Sequence, residues 1–374
     1  MKKLSLITCG LVLSSSFAFA NDVKTFDDAF KNGKASGTLG LYGQSIEYDK
    51  TTGVYNRTGN KEFGYLNGYA TIGYETASLY GFSAKAEFRG NLDLGERENG
   101  DRDEQFANNA LMTEAYLKYA NDAFFVVAGR QAIDLEWLGD YHEAVVAGIT
   151  AIPDTTIVVG YTDRKAESTS ELSEDFHDIN GNKGAYVLDV KYAGFDGIEL
   201  NPYYYNAPDV ADWYGLKVTA STDYFGAIAH YAQGNTDSKV GTDDESIAHV
   251  ELNTELDGFT AAIGYIKTDK DAGATIMTTG GDNISPFEDG NEVYSADAKT
   301  VYGSLGYTIA DVELGALYGQ TEYGVAKDKE KELNLSVGYS FTESLGASVL
   351  YVNVDAEDSD DNYDKWIAAV EYTF

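Results

Sequence analysis

The side chains able to do chemistry in this sequence are fixed charges on alternating positions. Lys85 and Arg89, then Lys118, Arg130, Arg164, Lys191 and Lys217, occupy the polar positions of segments whose other positions are largely apolar. Soon after Arg130 comes the stretch 132–141, which holds Asp134, Glu136 and Asp140, with Glu143 just beyond. Its Leu135, Trp137 and Leu138 are too apolar for a solvated loop, so the stretch is expected to fold back against something. Bases on a wall opposite acids on an infolded loop would replace part of a passing solute's hydration and bias which ions go through. A narrow, low-dielectric throat focuses that field. The expected constriction sets Arg89, Lys118 and Arg130 against Asp134, Glu136 and Asp140, with Lys85, Glu114, Arg164, Lys191 and Lys217 lining the same lumen. Arg130 is the leading wall candidate. A plainer reading pairs the bases with neighbours such as Glu87 and Glu114 as cross-strand salt bridges.

Other chemistries find little support. Cys9 is the only cysteine, and the 4 histidines, His142, His177, His230 and His249, have no zinc-binding spacing and no accompanying nucleophile motif. No catalytic residue, cofactor or metal ligand is therefore assigned. The acidic runs Asp355, Glu357, Asp358, Asp360, Asp361, Asp364 and Glu174, Asp175, Asp178 offer hard oxygen ligands without EF-hand spacing. They read as solvated loops, bridged to lipopolysaccharide by divalent ions, with loop-bound calcium as the alternative. With 27 Lys+Arg against 61 Asp+Glu, for a net charge of −34, nucleic acid is excluded as a natural partner.

The elements that must position these charges are short strands. Phe82, Ala84, Ala86, Phe88 and Leu92 alternate with polar residues, as do Leu111, Thr113, Ala115, Leu117 and Tyr119, and Leu333, Leu335, Val337, Tyr339 and Phe341. Each such segment has roughly the length a tilted strand needs to cross a bilayer, and alanine-rich apolar faces ending in aromatics suit lipid better than a second sheet. Connections alternate in length. Short ones fall near 78–81, 120–122, 153–154, 193–197, 221–223, 256–258, 310–311 and 342–344. Long acidic ones span 50–62, 95–108, 132–141, 167–183, 236–245, 269–297, 323–330 and 355–363, with 207–210 as a brief exception. The expected fold is all-β: a transmembrane antiparallel β-barrel of about 18 strands with short periplasmic turns and long outer loops. Pro202 inside the segment 198–206 calls for a bulge or a strand start, since a closed barrel has no free edge.

Both ends of the chain agree with export to an outer membrane. Lys2 and Lys3, an apolar run from Leu4 to Phe17 and then Ala18-Phe19-Ala20 match a secretory signal over 1–20. Cys9 falls too early in that run for lipid attachment. Residues 21–35 form a periplasmic lead-in and 36–374 the barrel. At the other end Trp366, Ala368, Val370, Tyr372 and Phe374 share one face, in the manner of the C-terminal signal read by barrel-assembly machinery.

The segments 113–119 (TEAYLKY), 127–131 (VAGRQ) and 134–143, together with the lead-in 26–34 running to Gly37, resemble the OprD-like outer-membrane porins, the Opr family. That resemblance implies an 18-stranded barrel whose third outer loop folds inward opposite a row of basic wall residues. It also implies passive diffusion of small polar solutes and ions. A structural or adhesive barrel with a blocked lumen, or a barrel enzyme, are the competing classes. A homotrimer and a monomer both stay open, and a subunit face would show as outward positions with small residues, which many strands here have.

Overall fold

The computed structural model describes residues 23–56, 59–103 and 105–374, so the signal segment, Cys9 and the expected mature start at Asn21 lie outside the described residues. A short helix α1 (Phe26–Lys31), capped by the Thr25 hydroxyl accepting from Asp28 N, precedes the strands. The first of these are β1 (Lys34–Tyr48), β2 (Glu62–Glu75), β3 (Phe82–Glu96), β4 (Ala110–Ala120), β5 (Phe124–Ala132) and β6 (Tyr141–Ile149). Next come β7 (Thr155–Ala166), β8 (His177–Asp178), β9 (Ala185–Phe195), β10 (Ile198–Ala207), β11 (Ala211–Ser221) and β12 (Phe225–Thr236). The circuit ends with β13 (Glu245–Leu256), β14 (Phe259–Thr268), β15 (Lys299–Ile309), β16 (Val312–Tyr323), β17 (Asp328–Ser340), β18 (Leu345–Ala356) and β19 (Tyr363–Thr373).

Neighbouring strands pair antiparallel, and β1 pairs with β19 from Thr38↔Thr373 to Tyr48↔Tyr363, closing the sheet on itself. The two-residue β8 pairs only with the end of β7, and the ring bypasses it through β7–β9, leaving an 18-stranded barrel. Closure removes every free edge. The alternation explains which way each strand faces. Leu39, Leu41, Ile72, Phe88 and Leu92 are exposed, whereas Gln44, Asn67, Glu87 and Arg89 are buried. That inversion of soluble-protein practice is the sheet of a membrane barrel, apolar toward lipid and polar toward the lumen. Aromatic rows mark both edges of the band: Phe82, Phe225 and Phe259 at the short-turn end, Tyr186, Tyr204, Tyr214 and Tyr231 toward the long loops. The terminal Trp366, Val370, Tyr372 and Phe374 are exposed on this outer face.

The abundance of glycine and tyrosine has a structural cause. Gly40, Gly215 and Gly264 stand directly opposite Tyr69, Tyr203 and Tyr302 on neighbouring strands. A Cβ at any of the three would come within 2.2 Å of that tyrosine. Inward tyrosines thus lie flat over bare backbone, covering it where a side chain would block them.

Two local departures matter. On β4, Glu87 faces Glu114 while Phe88 faces Met112, so Thr113 is an extra, bulged residue. The expected outward face therefore stops at Ala115. Leu111 and Thr113 are buried, and the Thr113 hydroxyl donates to Glu87 Oε1 at 3.0 Å. Pro202 sits within β10 opposite Leu216, and the β9–β10 register shift falls earlier, between Ile198 and Leu200. The side-chain amide of Asn201 donates to Val190 O at 2.8 Å, supplying a donor where proline has none.

Candidate functional site

The connection 133–140 runs into the barrel. β5 and β6 stop pairing at Ala132↔Tyr141. His142 secures the return, with Nδ1 2.9 Å from Thr162 Oγ1 and Nε2 2.8 Å from Gly139 O. Asp140 takes the left-handed backbone (φ 70°), which aspartate tolerates, and its carboxylate lies 3.2 Å from Lys165. Burial raises the Asp140 carboxyl, against the pull of Lys165. Leu135 N donates to Leu138 O at 2.9 Å, and this tight turn lays Ile133, Leu135 and Leu138 against Val146, Val158 and Val187 of the inner wall. Trp137 is completely buried, 6.4 Å from the ring of Tyr203 and 5.9 Å from that of His230. Beside it Glu136 meets Lys217 Nζ at 2.9 Å and His230 Nδ1 at 3.5 Å. The apolar residues that marked this loop in the sequence are those that hold it to the wall.

A second inward loop was missed by sequence reasoning. Residues 269–298 cross the lumen, with Met277, Ile284 and Val293 buried in the same apolar cluster as Trp137. The two loops touch directly: Gly139 N donates to Gly280 O at 3.0 Å and the Asn283 amide to Leu135 O at 3.1 Å. Further along, Asp289 and Glu288 approach Lys365 Nζ at 2.7 and 3.4 Å. The signal was present in the sequence. Ile276, Met277, Ile284, Phe287 and Val293 are as anomalous in an acidic loop as Leu135 and Trp137.

A third segment, the hairpin 167–174, reaches the opposite wall, where Tyr65 and Asn67 donate to Glu171 O and Ser170 O at 2.7 and 3.1 Å. Its base is closed by Glu174 N donating to Glu167 O at 2.9 Å. Burial, then Asp140, Glu171 and Glu174, push the Glu167 carboxyl up to about 7, with Lys165 opposing. A carboxyl raised above its ordinary 4.5 favours the folded hairpin while protonated, so the contribution is whole below about pH 4.5 and is lost as pH climbs through about 7. Amide protection factors over 168–174 should fall across that window and stay level in Glu167→Gln; parallel curves for the two proteins would refute the assignment.

The structure brings together only part of the expected constriction. Glu136 and Asp140 do face bases, but these are Lys217 and Lys165. Asp134 is exposed. Lys85 is engaged with Glu87 and Glu114 on the wall. Arg89 lies 4.6 Å over the Tyr69 ring, and Lys118 and Lys191 project from inward positions of β4 and β9. Arg130, the leading candidate, does not meet the loop acids. It stands in register with Ala115 and Glu143, on the face of exposed Leu117 and Val145 rather than inward Val127 and Gln131. There it pairs with Glu143 at 2.9 Å and lies 4.3 Å over Phe176, while Arg164 bridges Glu143 and Asp178 at 3.5 and 3.4 Å. A near-loop ladder Arg130–Glu143–Arg164–Asp178 replaces the lumenal position expected of both arginines.

Many acids inside the barrel serve as acceptors for loop groups, so the net charge of the chain is a poor guide to the potential in the lumen. The acidic runs are similarly occupied: Asp355 pairs with Lys331 at 2.8 Å, Asp360 with Lys50, and Asp364 accepts from Asn353 at 3.0 Å. Among the described residues no group of three or more His, Cys, Asp or Glu is disposed to hold a metal ion.

A family model described as "Putative outer membrane protein" matches residues 20–355. No curated protein matches the chain. Pseudomonas aeruginosa OpdO is similar with a TM-score of 0.77 at 14% identity, over 93% of this chain and 98% of its own. The BenF-like porin of Pseudomonas fluorescens Pf-5 gives 0.75 at 13% identity over 92% and 99%. Pseudomonas aeruginosa OpdK, solved with vanillate, gives 0.71 at 14% identity over 91% and 98%. At such identities the likeness is one of fold: the OprD-like porin barrel.

Proposed function

This chain belongs to the outer membrane protein family matched over residues 20–355, a porin-type barrel of the bacterial outer membrane, and from that premise we propose that it forms a water-filled channel. Small hydrophilic solutes and ions would diffuse passively through it, constricted by the inward loop 133–140. One observation supports the reading: Trp137 is buried in the inner apolar cluster and Glu136 pairs with Lys217, so the loop is seated on the inner wall. The wall of the passage is assigned to Lys85, Arg89, Lys118, Lys191 and Lys217, with Asp134 on the loop. Fixed charges of both signs at the narrowest point would set ion preference.

The test is reconstitution of the purified protein in planar bilayers, followed by liposome swelling with sugars, amino acids and organic acids. The panel includes vanillate, the compound present with the similar OpdK. Stepwise conductance and size-dependent swelling are expected. A second reading, a surface barrel with a blocked lumen, is favoured by one feature: three loops, not one, enter the barrel. Absence of single-channel steps would decide for it.

A further inference from the structure

Two wall carboxylates lie beneath the loop 269–298, and neither contributes to closing the barrel. Glu245 on β13 and Glu332 on β17 are each 2% exposed. Their backbones sit in unbroken register with Gly234 and with Gly319 and Val354, so the strand ladders run past them whatever the side chains do. A buried carboxylate is costly unless fully hydrogen-bonded. Glu245 directs its side-chain bonds to one loop, and Glu332 directs all but one there, the other being accepted from the Asn334 amide on its own strand at 2.7 Å. Glu245 accepts from Ile276 N at 2.8 Å, Met277 N at 3.0 Å and the Thr275 hydroxyl at 3.2 Å. Glu332 accepts from Glu288 N at 3.1 Å, Asp289 N at 3.2 Å and Gly290 N at 2.8 Å. Consecutive backbone N–H groups folded round an anion form a concave site of partial positive charge, and each bond to an ionised acceptor is of the stronger kind.

We propose that Glu245 and Glu332 are the positioning residues that hold loop 269–298 across the lumen, and so set the aperture and charge of the channel. The inference rests on the channel reading above. Glu245 fixes the turn entering Met277–Gly280, whose Gly280 carbonyl accepts from Gly139 in the other inward loop. Through that contact it steadies loop 133–140 as well. Glu332 fixes the turn that carries Glu288 and Asp289, presenting both acids to Lys365. Releasing the first widens the opening; releasing the second also moves two charges.

The experiment compares Glu245→Gln, Glu332→Gln and the shorter Glu332→Asp with wild type, all as full-length protein in planar bilayers. Glutamine keeps the size but turns an amide N–H toward a backbone N–H, and aspartate keeps the charge but withdraws it by one methylene. Glu313→Gln is the control, because Glu313 is exposed near the short-turn end and its loss changes charge without touching the loop. Single-channel conductance should rise about twofold or more in the three test variants, as a widened constriction requires. The reversal potential should shift in Glu332→Gln, and Glu313→Gln should keep wild-type conductance. Wild-type conductance in the test variants, with heat-modifiable gel migration showing an intact barrel, overturns the proposal. If wild type is silent the open-channel reading fails by itself: conducting variants then still establish the positioning role, and silent variants overturn it too. Should a glutamine variant not assemble, the conductance of Glu332→Asp alone decides.

Discussion

Trp137→Ala should enlarge the single-channel conductance and make it noisy while leaving the barrel assembled. The indole is completely buried between Tyr203 and His230, in the apolar cluster that both inward loops share. Truncating a buried tryptophan costs about 3 to 5 kcal/mol, part transfer and part cavity. That loss falls on a loop of a few residues, not on the strand ladders, and local opening needs less free energy than global unfolding. What then holds the loop is the Glu136–Lys217 and Asp140–Lys165 pairs, the packing of Ile133, Leu135 and Leu138 on the wall, and the contacts of Gly139 and Leu135 with His142, Gly280 and Asn283. Bilayer recordings and hydrogen exchange over 133–140 test this together. Unchanged conductance with full protection of those amides would show that the loop is held elsewhere.

Lys365→Met should release two loops at once. Lys365 is 4% exposed, with Asp289 at 2.7 Å, Glu288 at 3.4 Å and Glu171 at 4.0 Å from its ammonium. Removing one partner from a buried ion pair costs about 3 to 5 kcal/mol, because a charge stays behind unpaired. Here three carboxylates stay behind, and they repel one another. The hairpin 167–174 and the turn 288–290 are expected to part, with faster exchange at residues 170–172 and 288–290 and a reversal potential moved toward cation preference. Lys365→Arg should retain both wild-type properties. Wild-type exchange and selectivity in the methionine variant would deny Lys365 this role.

How much of this was legible beforehand differs between strands and loops. Phe82 to Leu92 and Leu333 to Phe341 behave as the alternation requires, because a strand's facing depends only on its own period. The segment from Leu111 to Tyr119 fails halfway, because a single bulged residue at Thr113 reverses the faces beyond it. Arg130 was misplaced for a related reason. Assigning it to the lumen assumed that polar means inward, an assumption that weakens near the end of a strand, where an ion pair with Glu143 meets solvent and loop instead of lipid. The infolding of 133–140 could be read from Leu135, Trp137 and Leu138, and that of 269–298 could have been read by the same rule.

The sequence by itself determined the barrel: period-two patterning, alternating short and long connections, and an aromatic last strand are local features, and closure follows from having no tolerable edge in lipid. Only the tertiary structure decided which charges meet. Glu136 reaches Lys217 from 81 residues away, and Lys365 gathers acids from two separate loops. Those pairings depend on how each loop crosses the lumen, which burial of a few apolar side chains and the hydrogen-bonding needs of loop backbone settle in three dimensions. A charge's partner is set by that path and not by its neighbours in the chain.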